Sequence, residues 1–380
     1  MRLDLRHYEL LDALRRCAPF CSTRGPNQIF HYTLLECRNG VVTVASQDME
    51  SGIKRVIGKC DEDVVGSVLL HNKSTISVLS AVDVSVVTLD YDGSTLTLSG
   101  PGFRYGFQSP DVDTYPCTPN VASDKYYRVN GSRFKRLGSR VLPAAERAYG
   151  RFSELGVRFE SGEDHVRLVA TDGRQLATQT IVASPVGCTS LGDSIRISHE
   201  AAARLMRSVP NGDVDIVSQD NLLCVSGDSV FIWTRLMEGR FPNWRSVFPD
   251  GDAQIVWGTN AGRLARLLQQ AAVICGKPNA GVTITIYDGK ATLSSRGASS
   301  ETSEVTTEID GVNGEMKIRV DPDLFVACLE GLGDTDIVLN LFGPEQPLVV
   351  ETFPGEVNEG EFKYAIMPLV IEIPRTIIHE

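Results

Sequence analysis

Apolar residues recur along the chain at helical spacing, and each helical stretch is followed by stretches that alternate as strands do. In 197–210 four apolar residues stand at i, i+3, i+4 and i+7, so they share one helix face. Ser198 is expected to cap the start of this helix, and Pro210 is expected to end it. The pattern predicts further helices in 5–18, 72–83, 130–141, 259–275 and 320–333.

The helix in 320–333 has the clearest start and stop signals. Asp321 can cap it, Pro322 suits its first turn, and Gly333 suits the position after its last turn. The pairs Asp92-Gly93 and Asp288-Gly289 each stand between two strand-like stretches, and they predict tight β-hairpin turns.

Six helices, each preceded by a short strand and followed by a hairpin, indicate one unit repeated six times. Paired units predict an α+β fold with three similar domains, each made of two helices packed on antiparallel sheets. We place these domains at 1–121, 125–249 and 252–380, with boundaries in the loops 118–125 and 248–253.

The composition of the chain predicts its cellular location and argues against two kinds of cysteine site. The 380 residues carry a net charge of −11 and nine cysteines without a CxxC pair, which favours neither a disulfide framework nor a zinc site. We therefore expect a reducing, cytoplasmic location. No apolar run reaches the length of a membrane span, and the charged N-terminus is unlike a secretory signal, so we expect no membrane association.

One segment departs from the acidic average. Residues 126–151 hold seven basic side chains and one acid, a net +6 in 26 residues. In the helix at 130–141 the arginines lie opposite the apolar stripe, and other helices repeat this arrangement. Basic helix faces in an acidic protein suggest a surface turned to phosphates, although ordinary solvated helix faces would also produce the pattern. No zinc-finger spacing or aromatic platform is visible, so contact with DNA would not depend on base sequence.

Catalytic and metal-binding motifs are absent from the sequence. The six histidines show no metal-ligand spacing, and neither a GxSxG elbow nor a Walker loop is present. The acidic cluster 60–65 is typical of a solvated loop. We expect neither a cofactor nor an enzymatic activity.

Three segments carry a family resemblance: ATDGRQLA at 170–177, EGRFPNWRSVFP at 238–249 and YAIMPLVI at 364–371. In this order and spacing they resemble the sliding clamp family, the beta subunits of the bacterial replicative DNA polymerase, across nearly the whole chain. The resemblance implies a head-to-tail homodimer, a ring of six domains with helices lining the hole. Such a ring would encircle duplex DNA, tether the polymerase and confer processivity.

The resemblance also implies a groove, between the second and third domains, that takes short peptide motifs of partners. These partners would be the catalytic subunit of DNA polymerase III, the clamp loader, other polymerases and repair proteins. From residues alone, the apolar strip at 364–371 is explained equally well as a last core strand. The implied groove residues are Thr171, Gly173, Arg174, Gln175, Leu176, Pro242, Ser246, Val247, Met367, Pro368 and Leu369.

Two further sets follow from the resemblance. The dimer interface would pair Tyr105 and Phe107 with Val273 and Ile274, although these four residues could instead belong to an internal core. Side chains expected to face double-stranded DNA are Arg24, Arg133, Arg136, Arg140, Arg151, Arg204, Arg207, Arg263 and Arg266.

The sequence departs from the family pattern at several groove positions, which predicts a shifted peptide preference. These positions are Glu154, Arg174, Gln175, Trp244, Ser246 and Asn279. The chain also continues past the motif as 372–380, and we hypothesise that Ile373, Ile377 and Ile378 fold over the groove and compete with partners. Two rival functions remain: a protein-interaction scaffold without a DNA role, which the basic segment disfavours, and a hydrolase, which the missing catalytic residues disfavour.

Overall fold

The computed structural model describes residues 1–22, 27–121, 123–145, 155–192, 195–276, 281–297, 299, 301–309, 311–312, 314–353 and 360–370. Six α-helices lie in these ranges, as the sequence predicts. They are α1 (His7–Cys17), α2 (Asn72–Ala81), α3 (Gly131–Gly138), α4 (His199–Ser208), α5 (Ala261–Ala272) and α6 (Pro322–Leu332). Short 3₁₀ turns occupy Ala18–Phe20, Gln28–His31, Val112–Thr114, Ser139–Ala144 and Trp244–Val247.

The strands of the described residues alternate with these helices. The first thirteen are β1 (Arg2–Arg6), β2 (Tyr32–Arg38), β3 (Val41–Gln47), β4 (Ser51–Lys59), β5 (Gly66–His71), β6 (Val86–Tyr91), β7 (Thr95–Gly100), β8 (Phe103–Gln108), β9 (Tyr126–Asn130), β10 (Val157–Ser161), β11 (His165–Thr171), β12 (Gln175–Val182) and β13 (Ser184–Val186). The others are β14 (Ile195–Ile197), β15 (Asp213–Gln219), β16 (Leu222–Gly227), β17 (Val230–Arg235), β18 (Ile255–Asn260), β19 (Val282–Tyr287), β20 (Lys290–Arg296), β21 (Thr302–Glu308), β22 (Met316–Val320), β23 (Asp336–Leu341), β24 (Leu348–Thr352) and β25 (Phe362–Ile366).

The chain forms two compact units. Unit 1 comprises 1–135, 184–191 and 200–236, and unit 2 comprises 136–183, 192–199 and 237–380. Unit 1 holds a nine-stranded sheet, β13-β9-β15-β16-β17-β4-β3-β2-β5, and a four-stranded sheet, β1-β6-β7-β8. Unit 2 holds an eight-stranded sheet, β14-β10-β11-β12-β25-β24-β23-β18, and a four-stranded sheet, β21-β20-β19-β22.

Each long sheet crosses a domain boundary predicted from the sequence. In unit 1, β17 pairs antiparallel with β4, and in unit 2, β25 pairs antiparallel with β12. These two pairings join strands that are far apart in the chain into continuous sheets. The compact units follow the sheets, so they do not test the three-domain division. That division stays a prediction.

The helix signals read from the sequence are confirmed in detail for α6. Asp321 Oδ1 accepts hydrogen bonds from the backbone N–H groups of Asp323 and Leu324, and Gly333 closes the helix with a φ of 65°. The apolar residues that the spacing places on one face of α6 are all buried: Phe325, Cys328, Leu329 and Leu332. The corresponding residues of α5 are Leu264, Leu267, Leu268 and Ala271, and all are buried except Leu267, which is half-buried.

The two predicted hairpin turns differ in backbone conformation. Asp288 and Gly289 both have positive φ, 46° and 69°, as a two-residue turn with matching twist requires. At the other turn only Gly93 has positive φ, and Asp92 Oδ1 instead accepts from the backbone N–H groups of Ser94 and Thr95. An additional loop residue makes this second geometry possible.

All nine cysteines are free thiols. Among the described residues, no helix combines the length and the apolar character that crossing a membrane demands.

Arg204 in α4 is buried, and the expectation that it faces DNA is wrong. It is 8% exposed, bonds to the carboxylate of Asp48, and donates to Ser51 Oγ at 2.9 Å and to Glu200 Oε1 at 2.5 Å. Burial alone would lower the pKa of Arg204, but the two carboxylates outweigh it and hold the pKa above its ordinary value. The guanidinium therefore ties α4 to the turn between β3 and β4 within unit 1.

Replacing this guanidinium tests its structural role. We expect Arg204→Met to lower the free energy of unfolding by ~2–4 kcal/mol, because the carboxylate of Asp48, only 16% exposed, is left without its cation. The measurement is the urea midpoint followed by circular dichroism. Arg207→Met, on the exposed side of the same helix, should change stability by less than ~0.5 kcal/mol. Equal midpoints for the two variants would contradict the role given to Arg204.

Candidate functional site

The three motif segments meet in unit 2. The first forms the end of β11, a turn and β12, and the third forms β25 and the residues after it. Because β12 and β25 are neighbours, with Gln175 opposite Ile366 and Leu176 opposite Ala365, the turn at 172–174 lies beside Met367. The backbone N–H of Met367 donates to the carbonyl of Arg174 at 2.8 Å. Pairing between strands thus joins segments almost 200 residues apart.

The turn after β11 is held by its own side chains. Asp172 Oδ1 accepts from the backbone N–H groups of Arg174 and Gln175 at 2.9 and 3.0 Å. Thr171 Oγ1 donates to the carbonyl of Gln175 at 2.7 Å and accepts from the N–H of Gly173 at 3.1 Å. Gly173 has a φ of 84°, a conformation that a side chain would strain. This accounts for the Thr-Asp-Gly sequence on local grounds.

Gln175 fixes the turn to the core beneath it. Its amide donates to the carbonyl of Pro143 and to Asp172 Oδ2, and its Oε1 accepts from the hydroxyl of Tyr364 at 2.8 Å. Burial raises the pKa of Tyr364 well above its ordinary value, so this hydroxyl stays protonated and donates. The Tyr364 ring also stacks on Phe325 of α6, at 6.2 Å between centroids.

The second segment packs an aromatic cluster against the first. Trp244, in the short 3₁₀ turn, is buried with Val169 and Leu176. Around them pack Phe241, Val247 and Phe248. Leu176 and Val247, which the sequence assigns to the groove, are therefore neighbours in space. Pro242 and Ser246 stand exposed on the same segment, and the Ser246 hydroxyl donates to the carbonyl of Asn243 at 2.8 Å.

Glu160 of β10 anchors this cluster from below. Its carboxylate accepts from Trp244 Nε1 at 3.0 Å and from Arg245 Nη2 at 2.8 Å, and Arg158 lies at 3.0 Å. Burial alone would raise the pKa of Glu160. The hydrogen bonds from Trp244 and Arg245, with the positive charges of Arg245 and Arg158, outweigh burial and hold the pKa below its ordinary value. The Arg245 guanidinium also covers the Trp244 ring at 4.3 Å.

The third segment changes from core to surface within a few residues. Tyr364, Ala365 and Ile366 are buried, whereas Met367 is 42% and Val370 84% exposed. The first half of the strip is therefore a core strand, and the second half lies at the surface, where its role as a groove wall stays a prediction. The backbone N–H of Leu369 donates to the carbonyl of Arg319 at 2.7 Å, which holds the segment against unit 2.

The predicted groove residues divide by exposure. Thr171, Gln175 and Leu176 are buried, so Thr171 and Gln175 support the wall by hydrogen bonds. Val247, Pro368 and Leu369 are half-buried. The exposed members are Gly173, Arg174, Pro242, Ser246 and Met367. We define these residues together with Trp244 as the candidate groove.

Sequence reasoning missed several residues that shape the candidate groove. Asp321, predicted only as a helix cap, also faces the guanidinium of Arg174 at 3.5 Å. The sequence did not indicate a role for Glu160, because a single acidic residue in a strand resembles any solvent-facing residue. The spacing of Phe241, Trp244 and Phe248 within one motif could have revealed the aromatic cluster.

The predicted DNA-facing arginines are only partly exposed. Arg136, Arg207, Arg263 and Arg266 are exposed, and Arg133 is half-buried. Arg263 donates to Thr307 Oγ1 at 2.7 Å, which leaves its charge near the surface. Arg24 and Arg151 lie outside the described residues, as do Glu154, Asn279 and 372–380.

Arg140 is buried at 5% exposure, and the expectation that it faces DNA is wrong. The prediction extended an α-helix through 130–141, but α3 ends at Gly138 and a 3₁₀ turn follows. This 3₁₀ segment packs against β11, β12 and α6, and Arg140 is buried in that contact. The guanidinium lies 3.5 Å from Gln179 Oε1 instead.

The four predicted interface residues do not form an internal core. Tyr105 is 41% and Val273 80% exposed, and Phe107 and Ile274 are half-buried. Tyr105 and Phe107 lie on β8, which ends its sheet and, within the described parts of the chain, pairs with β7 alone. Among the described residues, no cluster of His, Cys, Asp and Glu could hold a metal ion.

The carboxylate of Glu160 allows a pH-dependent test. Its pKa is lowered in the folded protein, so its stabilising effect is full above the unfolded pKa, ~4.3, and is lost as pH falls through the folded value. We expect Glu160→Gln to lower the free energy of unfolding by ~1–3 kcal/mol at pH 7, with a smaller difference towards pH ~3.5. Urea midpoints at several pH values give both numbers. Glu163→Gln, at an exposed site, is the control, and a difference independent of pH would contradict the assignment.

Comparisons with known proteins find relatives with similar sequences and the same fold. Residues 128–243 match the family model described as the central domain of the DNA polymerase III beta subunit. The beta sliding clamp of Proteus mirabilis is 20% identical over 97% of this chain and 100% of the relative. The crystal structure of DNA polymerase III subunit beta from Pseudomonas aeruginosa shares the fold, with a TM-score of 0.88, 16% identity, and coverage of 98% of this chain and 100% of that one.

A further solved structure holds a peptide. The Helicobacter pylori beta clamp bound to a DNA ligase peptide matches with a TM-score of 0.85, 17% identity, and coverage of 98% of this chain and 100% of that chain. The family model, the nearly full-length relatives and the shared fold show that the chain is similar to bacterial DNA polymerase III beta subunits over nearly its whole length.

Proposed function

We propose that the chain is a sliding clamp: two copies join head to tail into a ring that encircles duplex DNA and tethers the replicative polymerase. The observation that carries the proposal is the meeting of the three motif segments in one partly apolar surface of unit 2. The Helicobacter pylori clamp, with the same fold, binds a peptide of DNA ligase. The chain acts without catalysis, as an accessory subunit.

The candidate groove suits short peptides from several partners. Met367 offers a flexible and polarisable side chain, and Leu369 and Val247 present half-buried apolar surface. Around them, the charges of Arg174 and Arg245 form a polar rim. An apolar anchor inside a polar rim is the usual source of affinity in such sites. The partners would be the polymerase III catalytic subunit, the clamp loader, other polymerases and repair proteins.

The ring would hold DNA loosely. The exposed arginines of α3, α4 and α5 supply positive charge without a base-reading element, so attraction to phosphates is independent of sequence and weakens with salt. Water-mediated contacts exchange easily, which permits sliding. The net charge of −11 then belongs mainly to other surfaces. We also infer a cytoplasmic location, which the nine free thiols favour.

Closure of the ring would use β8. An unpaired strand edge is a template for another strand, and a head-to-tail contact forms a ring only if its rotation closes. We place Tyr105 and Phe107 of one copy against Val273 and Ile274 of the other. The exposure of Tyr105 and Val273 supports this placement.

The ring makes a topological prediction. The chain, loaded by its clamp loader on nicked circular DNA, should stay bound through gel filtration and fall off when a restriction enzyme linearises the circle. Val273→Glu should be lost from intact circles, because a charge enters the subunit contact. Val256→Glu, an exposed apolar position on β18, is the matched control. Retention after linearisation would contradict encirclement and indicate ordinary DNA binding, whereas failure to load on the nicked circle would favour the rival scaffold without a DNA role.

The C-terminal segment makes a second prediction. The described chain ends at Val370, directly after the groove residues, so 372–380 is tethered within reach of the site. If its isoleucines compete with partners, deletion of 372–380 should strengthen binding of the DNA ligase peptide by ~3–10-fold, measured by fluorescence anisotropy. Substitution of Ile373, Ile377 and Ile378 by serine in the full chain should give the same gain. Unchanged affinity in both variants would show that the segment does not compete.

A further inference from the structure

Unit 1 repeats the elements that build the candidate groove in unit 2. There, β3, a turn and β4 take the place of β11, a turn and β12. The turn is held in the same way: Asp48 Oδ1 accepts from the backbone N–H groups of Glu50 and Ser51 at 2.9 and 2.8 Å. Asp172 holds the turn of unit 2 by equivalent bonds. Met49 therefore corresponds to Gly173.

The strand beside the turn is repeated as well. In unit 1 β17 pairs with β4, and Thr234 stands opposite Ser51 as Ile366 stands opposite Gln175. The backbone N–H of Arg235 donates to the carbonyl of Glu50 at 2.9 Å. This bond matches the one from Met367 to Arg174. Arg235 thus occupies the position of Met367, although the two stretches share almost no residues.

A cavity of about 560 Å³ lies at this place in unit 1. Its volume is within the range of ligand sites, ~300–1,000 Å³. The apolar side chains that line it are Phe30, Met49, Pro116, Cys117, Pro119, Leu222 and Trp233. We call this cavity the unit 1 pocket.

The floor of the unit 1 pocket differs from that of the candidate groove. Gly52 stands where Leu176 stands in unit 2, and a Cβ at Gly52 would lie 2.2 Å from the Trp233 ring. The indole therefore fills the space of the missing leucine, and it stacks on Phe231 at 5.5 Å. An aromatic floor replaces an aliphatic one, so the two sites would select different side chains.

The charges around the unit 1 pocket favour a basic occupant. Asp48 is neutralised by Arg204. Among the described residues, the carboxylate of Glu50 has no ion-pair partner, and that of Asp220 accepts only from the amide of Gln219. Arg235 is the one lining cation and has no carboxylate partner among the same residues. Two carboxylates against one guanidinium leave the rim net negative.

We propose that the unit 1 pocket is a second peptide-docking site, which takes a short segment with an apolar side chain flanked by lysine or arginine. The apolar side chain enters between Met49, Leu222 and Trp233, and the basic group meets Glu50 and Asp220. This site does not depend on encirclement of DNA. A chain with both sites could hold two different partners at once.

The test is a selection on the full-length chain with a phage-displayed random dodecapeptide library. Synthetic versions of the selected peptides are then measured by fluorescence anisotropy. We expect one class, rich in lysine or arginine beside apolar residues, to lose at least tenfold in affinity with Met49→Arg and to be unaffected by Met367→Arg. Glu50→Gln should weaken the same class by about threefold, as loss of one partly exposed charge implies. Val256→Arg is the matched surface control.

The outcomes separate this proposal from the proposed function. If no selected peptide depends on Met49, or if the peptides that do are acidic, the proposal is overturned. If all selected peptides depend on Met367 alone, the unit 1 pocket is overturned as a docking site and the candidate groove is supported. Peptides that depend on Met49 alone would support the unit 1 pocket and count against the candidate groove.

Discussion

Antiparallel pairing between β12 and β25 is the interaction on which the candidate groove depends. Without it, the turn at 172–174 and the segment after β25 would belong to separate sheets, and no surface would contain both. The pairing is fixed by backbone hydrogen bonds, and a slip of one residue would turn every side chain of β25 to the opposite face. Burial of Tyr364 and Ile366 on that strand makes such a slip costly. The register therefore sets the position of Met367.

The same principle explains how the long sheets could arise. In both units a hairpin with an aspartate-held turn receives a distant strand along its second arm. Residues after that strand are then delivered next to the turn, whatever their identity. The two units repeat the same backbone geometry, but the residues at matching positions differ. Gly52 matches Leu176, and Arg235 matches Met367. Repetition of a scaffold with divergence of its surface is a common route to several functions on one fold.

Local features were predictable from the sequence, and long-range ones were not. The cap at Asp321, the turn at Asp288-Gly289 and all six helices depend on neighbouring residues, which a periodic pattern records. The burial of Arg140 depends on packing of its 3₁₀ segment against β11, β12 and α6, and that of Arg204 depends on Asp48, more than 150 residues away. No spacing rule could reveal either. The groove segments were found only because their motifs resemble a family, since apolar periodicity does not distinguish a core strand from a binding surface.

The hydrogen bonds of Gln175 carry a consequence for how this protein can evolve. Its side chain simultaneously satisfies a carbonyl at Pro143, a carboxylate at Asp172 and the hydroxyl of Tyr364. A substitution at Gln175 or Tyr364 leaves a buried polar atom of the other residue without its partner, so we expect these two residues to change together. Exposed positions such as Arg174 and Ser246 are free of this restriction. We therefore expect related proteins to differ in the peptides that they bind, while the buried residues that hydrogen-bond beneath the groove vary little.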